Sequence, residues 1–264
     1  MRPPSLTKNN LAKKKLTPTP ESIAYDNYLS RTGFAKCPIT TALIDMDGVL
    51  FNSMPNHSKA WERLAREYGW KHEPNEFFLY EGMTGAATIR LMMSRIGRND
   101  ISDDEAREIY AKKSKYFIEL GEVGPIDGAA EMLNSLRSAG IARVLVTGSG
   151  QASLLDRVNA AYPGVFSDNL KVTAHDVKHG KPDPEPYLMG LKKAGAKPEN
   201  AIVIDNAPLG VKSGSDSRCF TIGITTGPVP QEQLSGNGAD IVYPTMRDFA
   251  DGITRIIAAR NFSF

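Results

Sequence analysis

Short apolar runs alternate with helical segments along most of the chain. The apolar runs predict β-strands at residues 41–45, 143–147, 171–174, 201–205, 220–225 and 241–243. Helical segments separate most of them, for example residues 128–139, 151–160, 184–194 and 246–259. Such alternation is typical of βαβ units, in which right-handed crossovers cover both faces of a parallel sheet with helices. The pattern therefore predicts an α/β fold with a Rossmann-like, doubly wound parallel sheet.

The longest interval without a strand pattern lies between the first and second predicted strands. Within it, residues 55–68, 84–96 and 103–120 have helical patterns, and Ser102 followed by Glu105 is a candidate capping box. The simplest arrangement is an all-helical cap domain, residues 53–123, inserted after strand 1 into a core made of residues 41–52 and 124–264. An insertion there lies at the carboxyl ends of the strands, where ligands bind in open α/β sheets. It is therefore placed to act as a lid.

The first forty residues precede the alternating pattern. Residues 1–20 contain five basic residues, four prolines and no acidic residue. This composition favours a disordered basic tail over a transit peptide, and the segment lacks the apolar core of a secretory signal. Residues 21–40 are expected to form a short helix and a linker, with Ile23, Tyr28 and Phe34 as candidate packing residues.

Composition excludes several classes of protein. The 264 residues carry a net charge of +2, so the chain as a whole is not a binder of nucleic acid or other polyanions. No apolar stretch is long enough to span a bilayer, so no membrane partner is expected. The two cysteines, Cys37 and Cys219, form no CxxC pair, which favours a reducing compartment over a disulfide framework. A cytoplasmic monomer is the expected state.

Two carboxylates end the first predicted strand. Asp45 and Asp47 are followed by Gly48, which permits a sharp bend. Residues i and i+2 of an extended segment point the same way, so both carboxylates should project together from the strand end. Close carboxylates repel one another unless a cation or a shared proton compensates. Mg²⁺, a hard cation with oxygen ligands, meets that need, although a solvated acidic turn is the alternative interpretation.

Three further segments bring candidate phosphate-binding or metal-binding groups to the same edge of the sheet. They are Thr147, Gly148 and Ser149 after the second strand, Lys181 before a helix start, and Asp205 and Asn206 after the fourth strand. A hydroxyl and free backbone N–H groups at a helix start can bind phosphate, and a lysine can neutralise a transferring phosphoryl group. Taken singly, Ser149 is equally a helix cap and Lys181 a surface lysine. Their order and spacing together make the signal specific.

These motifs resemble those of the haloacid dehalogenase superfamily, from about Thr41 to the last strand, and the helical insertion is similar to that family's cap. The resemblance implies that Asp45 is the nucleophile and forms an aspartyl-phosphate. Asp47 would be the general acid/base and would offer its backbone carbonyl to Mg²⁺. Thr147 and Lys181 would bind the phosphoryl group, and Asp205 with Asn206 would complete the metal site. Asp47 favours phosphatases and phosphomutases over dehalogenases, because an oxygen leaving group needs a proton.

Several stretches are closely similar to a bacterial inorganic pyrophosphatase branch of the superfamily. They are residues 45–57, 81–85, 146–151, 180–188 and 206–210. In that branch a cap glutamate contacts the metal, and Glu81 matches it. His57 and Lys113 fall where cap side chains reach the substrate, and Gln151 where a core side chain does. The sequence departs from the superfamily at Asn206, which is an amide in place of a carboxylate. It departs from the pyrophosphatase branch at Asp205, because that branch has a glutamate at this position.

The resemblance predicts a Mg²⁺-dependent inorganic pyrophosphatase that converts diphosphate and water to two phosphates. The alternative is a β-phosphoglucomutase or sugar-phosphate phosphatase, although Gly85 stands where the mutases have an arginine that grips the sugar phosphate. Arg90, one helical turn along, could substitute for that arginine. A non-catalytic phosphate-binding or protein-binding module is a third possibility, against which the complete set of motifs argues.

The cap residues have plainer interpretations too. Lys113 follows Lys112 on a helix rich in lysine and glutamate, so an exposed lysine is nearly as well supported. His57 could simply open the first cap helix, and Glu81 could be an ordinary loop acid. Trp61 and Trp70 are expected in the core of the cap.

Overall fold

The structure is a computed structural model that describes residues 18–150 and 152–259. In that part of the chain, one parallel sheet contains the strands β1 (Thr41–Ile44), β2 (Ala142–Val146), β3 (Lys171–Val172), β4 (Ala201–Asp205), β5 (Phe220–Ile224) and β6 (Ile241–Tyr243). Their order in the sheet is β3-β2-β1-β4-β5-β6. The predicted α/β fold with a parallel, doubly wound sheet is confirmed. Most of the predicted basic tail and the site residue Gln151 lie outside the described residues.

The central strand explains where the site forms. Ile44 of β1 pairs with Leu145 of β2 on one side and with Ile204 of β4 on the other. The chain therefore leaves β1 in both directions across the sheet, which creates the switch point where ligands bind in such folds. Because β1, β2 and β4 end at paired or nearly paired residues, the residues that follow these three strands lie side by side.

Helices cover both faces of the sheet. They are α1 (Pro20–Thr32), α5 (Ala129–Ser138), α6 (Ala152–Ala161), α7 (Glu185–Ala194), α8 (Pro208–Asp216), α9 (Gln231–Gly236) and α10 (Met246–Ala259). Ala42 and Ile44 of β1 join the core beneath α1, α5 and α10, whereas Leu43 packs with Tyr187 and Leu191 of α7. Apolar side chains thus point to both faces of the strand, as a buried parallel sheet requires.

The N-terminal helix is part of the core. Its first turn is capped by Thr19, whose hydroxyl accepts a hydrogen bond from the Ser22 amide at 3.2 Å. Tyr28 packs edge-on against Phe220 of β5 and donates a hydrogen bond to the Arg218 carbonyl at 3.0 Å. The expectation for Ile23 was wrong, because this side chain is 50% exposed on the outer face of the helix.

The cap lies between β1 and β2 and is entirely helical. It contains α2 (Met54–Tyr68), a short 3₁₀ helix (Glu76–Tyr80), α3 (Gly85–Ser94) and α4 (Asp103–Glu119). Trp61 and Trp70 are buried, as predicted. The Ser102 hydroxyl accepts a hydrogen bond from the Glu105 amide at 3.1 Å, which is one half of the predicted capping box. The domain limits at residues 53 and 123 stay a prediction.

The helices of the structure bear on membrane association. Among the residues that the structure describes, no helix combines the length and the apolar character needed to cross a bilayer.

Candidate active site

A small cavity of about 40 Å³ lies between the carboxyl ends of the strands and the cap. Its core wall contains Asp45, Asp47, Gly148, Ser149, Lys181, Asp205, Asn206 and Ala207, and its cap wall contains His57, Trp61, Tyr80, Glu81, Gly82, Met83, Gly85, Thr88, Tyr110 and Lys113. The structure thus brings together all but two of the predicted site residues. Gln151 is outside the described residues. Thr147 is buried nearby but does not line the cavity, since its hydroxyl accepts a hydrogen bond from the Ser149 amide at 3.0 Å.

Lys181 joins two carboxylates at the core wall. Its ammonium lies 2.5 Å from Asp45 Oδ1 and 2.7 Å from Asp205 Oδ2, and its side chain is buried. Burial alone would lower the pKa of Lys181, but the two carboxylates raise it above its usual value. Burial also raises the pKa of Asp45 to about 8, although Lys181 opposes this rise. The alternative interpretation of Lys181 as a surface lysine is wrong, because the residue is buried.

Asp205 is occupied by other protein groups. Its Oδ2 accepts a second hydrogen bond from the Tyr187 hydroxyl at 2.5 Å, and its Oδ1 accepts one from the Ala207 amide at 2.9 Å. Both oxygens therefore accept hydrogen bonds from protein groups, and Oδ2 holds Lys181 in place. The metal-ligand role that the resemblance implies for Asp205 stays a prediction.

Asn206, unlike Asp205, has a side-chain oxygen without a hydrogen-bond partner among the described residues. This oxygen, Oδ1, is buried. A buried acceptor without a partner costs about 1–3 kcal/mol, so a ligand that fills this position would recover that energy. Gly48 lies directly against it, since a Cβ at residue 48 would stand 2.0 Å from Asn206 Nδ2. The glycine, at a φ of +84°, is required by this close approach.

Asp47 is linked to the cap. Its Oδ1 accepts a hydrogen bond from the Ser53 hydroxyl at 2.5 Å and lies 3.2 Å from His57 Nε2. Lys113 Nζ lies 2.5 Å from His57 Nδ1. An ammonium can only donate, so Nδ1 must accept and the ring proton must lie on Nε2, directed at Asp47. Lys113, His57 and Asp47 thus form one hydrogen-bonded chain.

Burial shifts the protonation of this chain. Burial and the Lys113 charge lower the pKa of His57, which favours the neutral ring. Burial also lowers the pKa of Lys113 to about 8, although Glu81 and Asp47 oppose this fall. Burial alone would raise the pKa of Asp47, but its contacts with His57 and Ser53 bring it below its usual value. Lys113 is 2% exposed, so the alternative of a solvated surface lysine is wrong.

Glu81 completes the charged groups on the cap wall. Burial raises its pKa to about 8, with Lys113 opposing the rise and the two aspartates Asp47 and Asp45 adding to it. A carboxylate in such a position is stabilised by a cation, so Glu81 is suited to contact a metal ion bound near Asp45 and Asp47.

Glycines bring the cap loop into close contact with the core. A Cβ at Gly82 would lie 2.8 Å from Lys181 Cδ, and one at Gly148 would lie 2.9 Å from the Gly82 carbonyl oxygen. A Cβ at Gly180 would lie 2.8 Å from Thr84 Cγ2. Larger residues at these positions would hold the cap away from the core. We call these close contacts of Gly82, Gly148 and Gly180 the glycine seam. The sequence did not predict the glycine seam, nor the roles of Ser53, Tyr110 and Tyr187, because each depends on contacts between distant segments.

The donor set bears on the predicted magnesium ion. Within the described ranges, no three histidine, cysteine, aspartate or glutamate side chains come together as a metal-binding group. The oxygen donors are instead mixed: Asp45, Asp47 and Glu81 line the cavity together with the unpartnered amide oxygen of Asn206. An all-oxygen set of this kind suits a hard divalent cation, and the orphaned Asn206 oxygen is the observation that supports the fit.

Comparisons with known proteins agree with this geometry. Residues 39–217 match the family model described as a haloacid dehalogenase-like hydrolase. The chain is 30% identical over 204 residues to hexitol phosphatase A from Escherichia coli (strain K12), covering 77% of this chain and 90% of that protein. It is 27% identical over 175 residues to a phosphorylated carbohydrates phosphatase from Thermotoga maritima, covering 66% and 80%.

A solved structure is similar over nearly the whole chain. It comes from Bacteroides vulgatus and is described as a candidate β-phosphoglucomutase. The TM-score is 0.87 at 41% sequence identity, and the match covers 92% of this chain and 99% of that one.

Proposed function

Because the chain belongs to the haloacid dehalogenase-like hydrolase family, we propose that it is a Mg²⁺-dependent phosphatase of small phosphorylated sugars or sugar alcohols. The observation that carries the chemistry is the buried Lys181 between Asp45 and Asp205, beside the unpartnered oxygen of Asn206. The substrate class is supported by the names of the relatives, which act on hexitol phosphates and phosphorylated carbohydrates. No relative named above is a pyrophosphatase.

In the first half of the proposed reaction, an Asp45 carboxylate oxygen attacks phosphorus and the bond from phosphorus to the leaving oxygen breaks. Lys181 offsets the negative charge that gathers on the phosphoryl oxygens. The leaving oxygen takes a proton from Asp47. The contacts in the structure favour the ionised form of Asp47, but an approaching phosphate dianion raises its proton affinity and prepares it to act as an acid.

In the second half, water attacks the phosphorus of the aspartyl-phosphate and gives its proton to Asp47. The bond from phosphorus to Asp45 breaks, which releases phosphate and restores the carboxylate. Mg²⁺, when bound, supplies positive charge opposite the phosphoryl oxygens. Asp45, Asp47, Asn206 and Glu81 are the residues that would hold it. Closure of the cap along its glycine seam excludes bulk water during the first half.

Inorganic pyrophosphate is the second candidate substrate. The observation that favours it is the charge of the cap wall, where the buried Lys113 ammonium and His57 stand beside Asp47. A phosphate leaving group would be attracted by this cation, whereas a neutral sugar gains nothing from its charge. The similar Bacteroides vulgatus structure is described as a candidate β-phosphoglucomutase, so phosphomutase activity is tested in the same assay.

The experiment is a substrate panel with purified protein. Phosphate release is measured from sorbitol 6-phosphate, glycerol 1-phosphate, glucose 6-phosphate, β-glucose 1-phosphate and pyrophosphate, with Mg²⁺ and with a chelator, and glucose 6-phosphate formed from β-glucose 1-phosphate is measured in parallel. We expect a sugar or sugar-alcohol phosphate to exceed pyrophosphate in kcat/KM by about tenfold, which corresponds to about 1.4 kcal/mol of transition-state binding. A preference for pyrophosphate would establish the second candidate instead. Conversion of β-glucose 1-phosphate to glucose 6-phosphate without phosphate release would show a mutase.

A further inference from the structure

Gly85 and Tyr110 meet in the wall of the catalytic cavity. A Cβ at residue 85 would lie 2.1 Å from Cδ2 and 2.2 Å from Cε2 of the Tyr110 ring. Gly85 is the first residue of α3, and Tyr110 reaches across that turn from α4. The ring therefore fills the space into which any side chain at residue 85 would project. The contact joins positions that are far apart in sequence but both line the cavity.

Packing holds the Tyr110 ring at this position. Its centroid lies 6.3 Å from that of Trp61 and 5.8 Å from the Lys113 ammonium. Lys113 lies three residues further along α4, on the same helix face, and its ammonium is also 5.0 Å from the Trp61 ring. A swing of Tyr110 away from Gly85 would disturb both contacts. These contacts thus support the ring at its place in the cavity wall.

The wall leaves little room for a leaving group. The cavity measures about 40 Å³, and Trp61, Tyr80 and Tyr110 form its aromatic side. An open-chain leaving group can rotate about its single bonds and follow the wall around the Tyr110 ring, whereas a sugar ring is rigid and needs a wider space. Displacing a packed aromatic ring to admit it would sacrifice that ring's contacts.

We propose that Tyr110, seated on Gly85, determines substrate specificity by excluding leaving groups that contain a sugar ring. The inference rests on the proposed phosphatase function and narrows it to phosphates of open-chain polyols or of similarly small leaving groups. Tyr110 acts here through its ring volume and takes no part in the chemistry at phosphorus.

The first test compares glycerol 1-phosphate with glucose 6-phosphate. The wild-type protein is expected to prefer the open-chain substrate in kcat/KM by about a hundredfold. Tyr110→Ala should reduce this preference by about tenfold or more, chiefly through a gain on glucose 6-phosphate. Tyr110→Phe should keep the wild-type ratio, since the ring and not the hydroxyl fills the space. Ile118→Ala, on the exposed outer face of α4, is the matched control.

The second test measures the contact itself. Gly85→Ala alone should lower the melting temperature, because the new methyl group collides with the ring, and the same change in a Tyr110→Ala background should have little effect. Additive effects of the two substitutions would overturn the contact.

The outcomes separate the two proposals. Equal wild-type turnover of both substrates, or an unchanged ratio in Tyr110→Ala, would overturn the role of Tyr110 and leave the phosphatase proposal standing. A wild-type protein that hydrolyses no phosphate ester would overturn the phosphatase proposal and, with it, the substrate class assigned here.

Discussion

The cavity has two walls, and each contains one buried lysine in a different electrostatic setting. On the core wall, Lys181 lies within 2.7 Å of two carboxylates, which raise its pKa. On the cap wall, Lys113 contacts the neutral acceptor nitrogen of His57 and is enclosed by aromatic rings, and burial lowers its pKa to about 8. Lys181 is therefore firmly cationic, whereas Lys113 loses its proton at a lower pH than an ordinary lysine, because its pKa is about 8.

The difference assigns separate tasks to the two walls. The core wall keeps a fixed positive charge at Asp45, the proposed nucleophile, where it can offset the negative charge of a bound phosphoryl group. The cap wall places the ammonium of Lys113, whose pKa burial lowers, next to His57 and so behind Asp47, the proposed general acid and base. The comparison predicts that loss of Lys181 affects chemistry and stability together, whereas loss of Lys113 affects chemistry with less cost in stability.

The largest expected effect is the loss of the nucleophile. Asp45→Asn should reduce turnover by roughly a thousandfold or more, because an amide oxygen does not form the phosphoenzyme. The fold should persist, since the substitution conserves shape and removes a buried charge. Turnover is measured on the best substrate of the panel, with circular dichroism as the control for folding. Retained activity in a folded variant would place the chemistry elsewhere.

Removal of Lys181 should damage both activity and stability. Lys181→Met leaves two buried carboxylates without their shared cation, and breaking such a pair costs about 3–5 kcal/mol. Chemical denaturation of the metal-free protein measures this cost. Adding Asp205→Asn should restore about half of the stability and none of the activity, because only one of the two unpaired charges is removed. A Lys181→Met variant as stable as the wild type would show that the pairing of Lys181 with Asp45 and Asp205 does not stabilise the fold.

Removal of Lys113 should separate activity from stability. Lys113→Met is expected to lower kcat by about tenfold to a hundredfold, since Asp47 loses the charge that acts on it through His57. The free energy of unfolding should change by about 1 kcal/mol or less, because burying this ammonium already carries a cost. The matched control is Lys112→Met, at an exposed ion pair with Glu67. If Lys113→Met were as destabilising as Lys181→Met, the two walls would not differ as described.

The smallest expected effect is a change in how steeply the free energy of unfolding falls with rising pH. Because burial raises the pKa of Asp45 and of Glu81 to about 8, the folded state retains their protons to higher pH than the unfolded chain does. Their contribution to stability is therefore present at low pH and is lost as pH rises toward 8. In chelator, Glu81→Gln should make this decline shallower, as measured by denaturation at several pH values. A slope equal to that of the wild type would contradict the assignment.

The core wall could be predicted from sequence because its geometry follows from strand register. Asp45 and Asp205 follow residues that are paired across neighbouring parallel strands, so their convergence needs no knowledge of side-chain packing. The sequence did not reveal that Asp205 turns toward Lys181. That orientation depends on the Tyr187 hydroxyl, which comes from a helix on the face of the sheet.

The cap wall was harder to predict for a physical reason. Lys112 and Lys113 are neighbours with identical side chains, and only the phase of α4 buries one and exposes the other. The contact of Gly85 with Tyr110 depends on how α3 crosses α4, which no local pattern encodes. A glycine in the sequence shows that a side chain is absent, but not which neighbouring group occupies the space.

The most direct test of the central claim is capture of the phosphoenzyme on Asp45. The protein is mixed with its best substrate in radiolabelled form and quenched in acid, and borohydride then converts any aspartyl-phosphate to homoserine. Peptide mass spectrometry should find homoserine at residue 45 in the wild-type protein and none in Asp45→Asn. Rapid turnover with no labelled protein at any quench time, or with the label on another residue, would contradict the account.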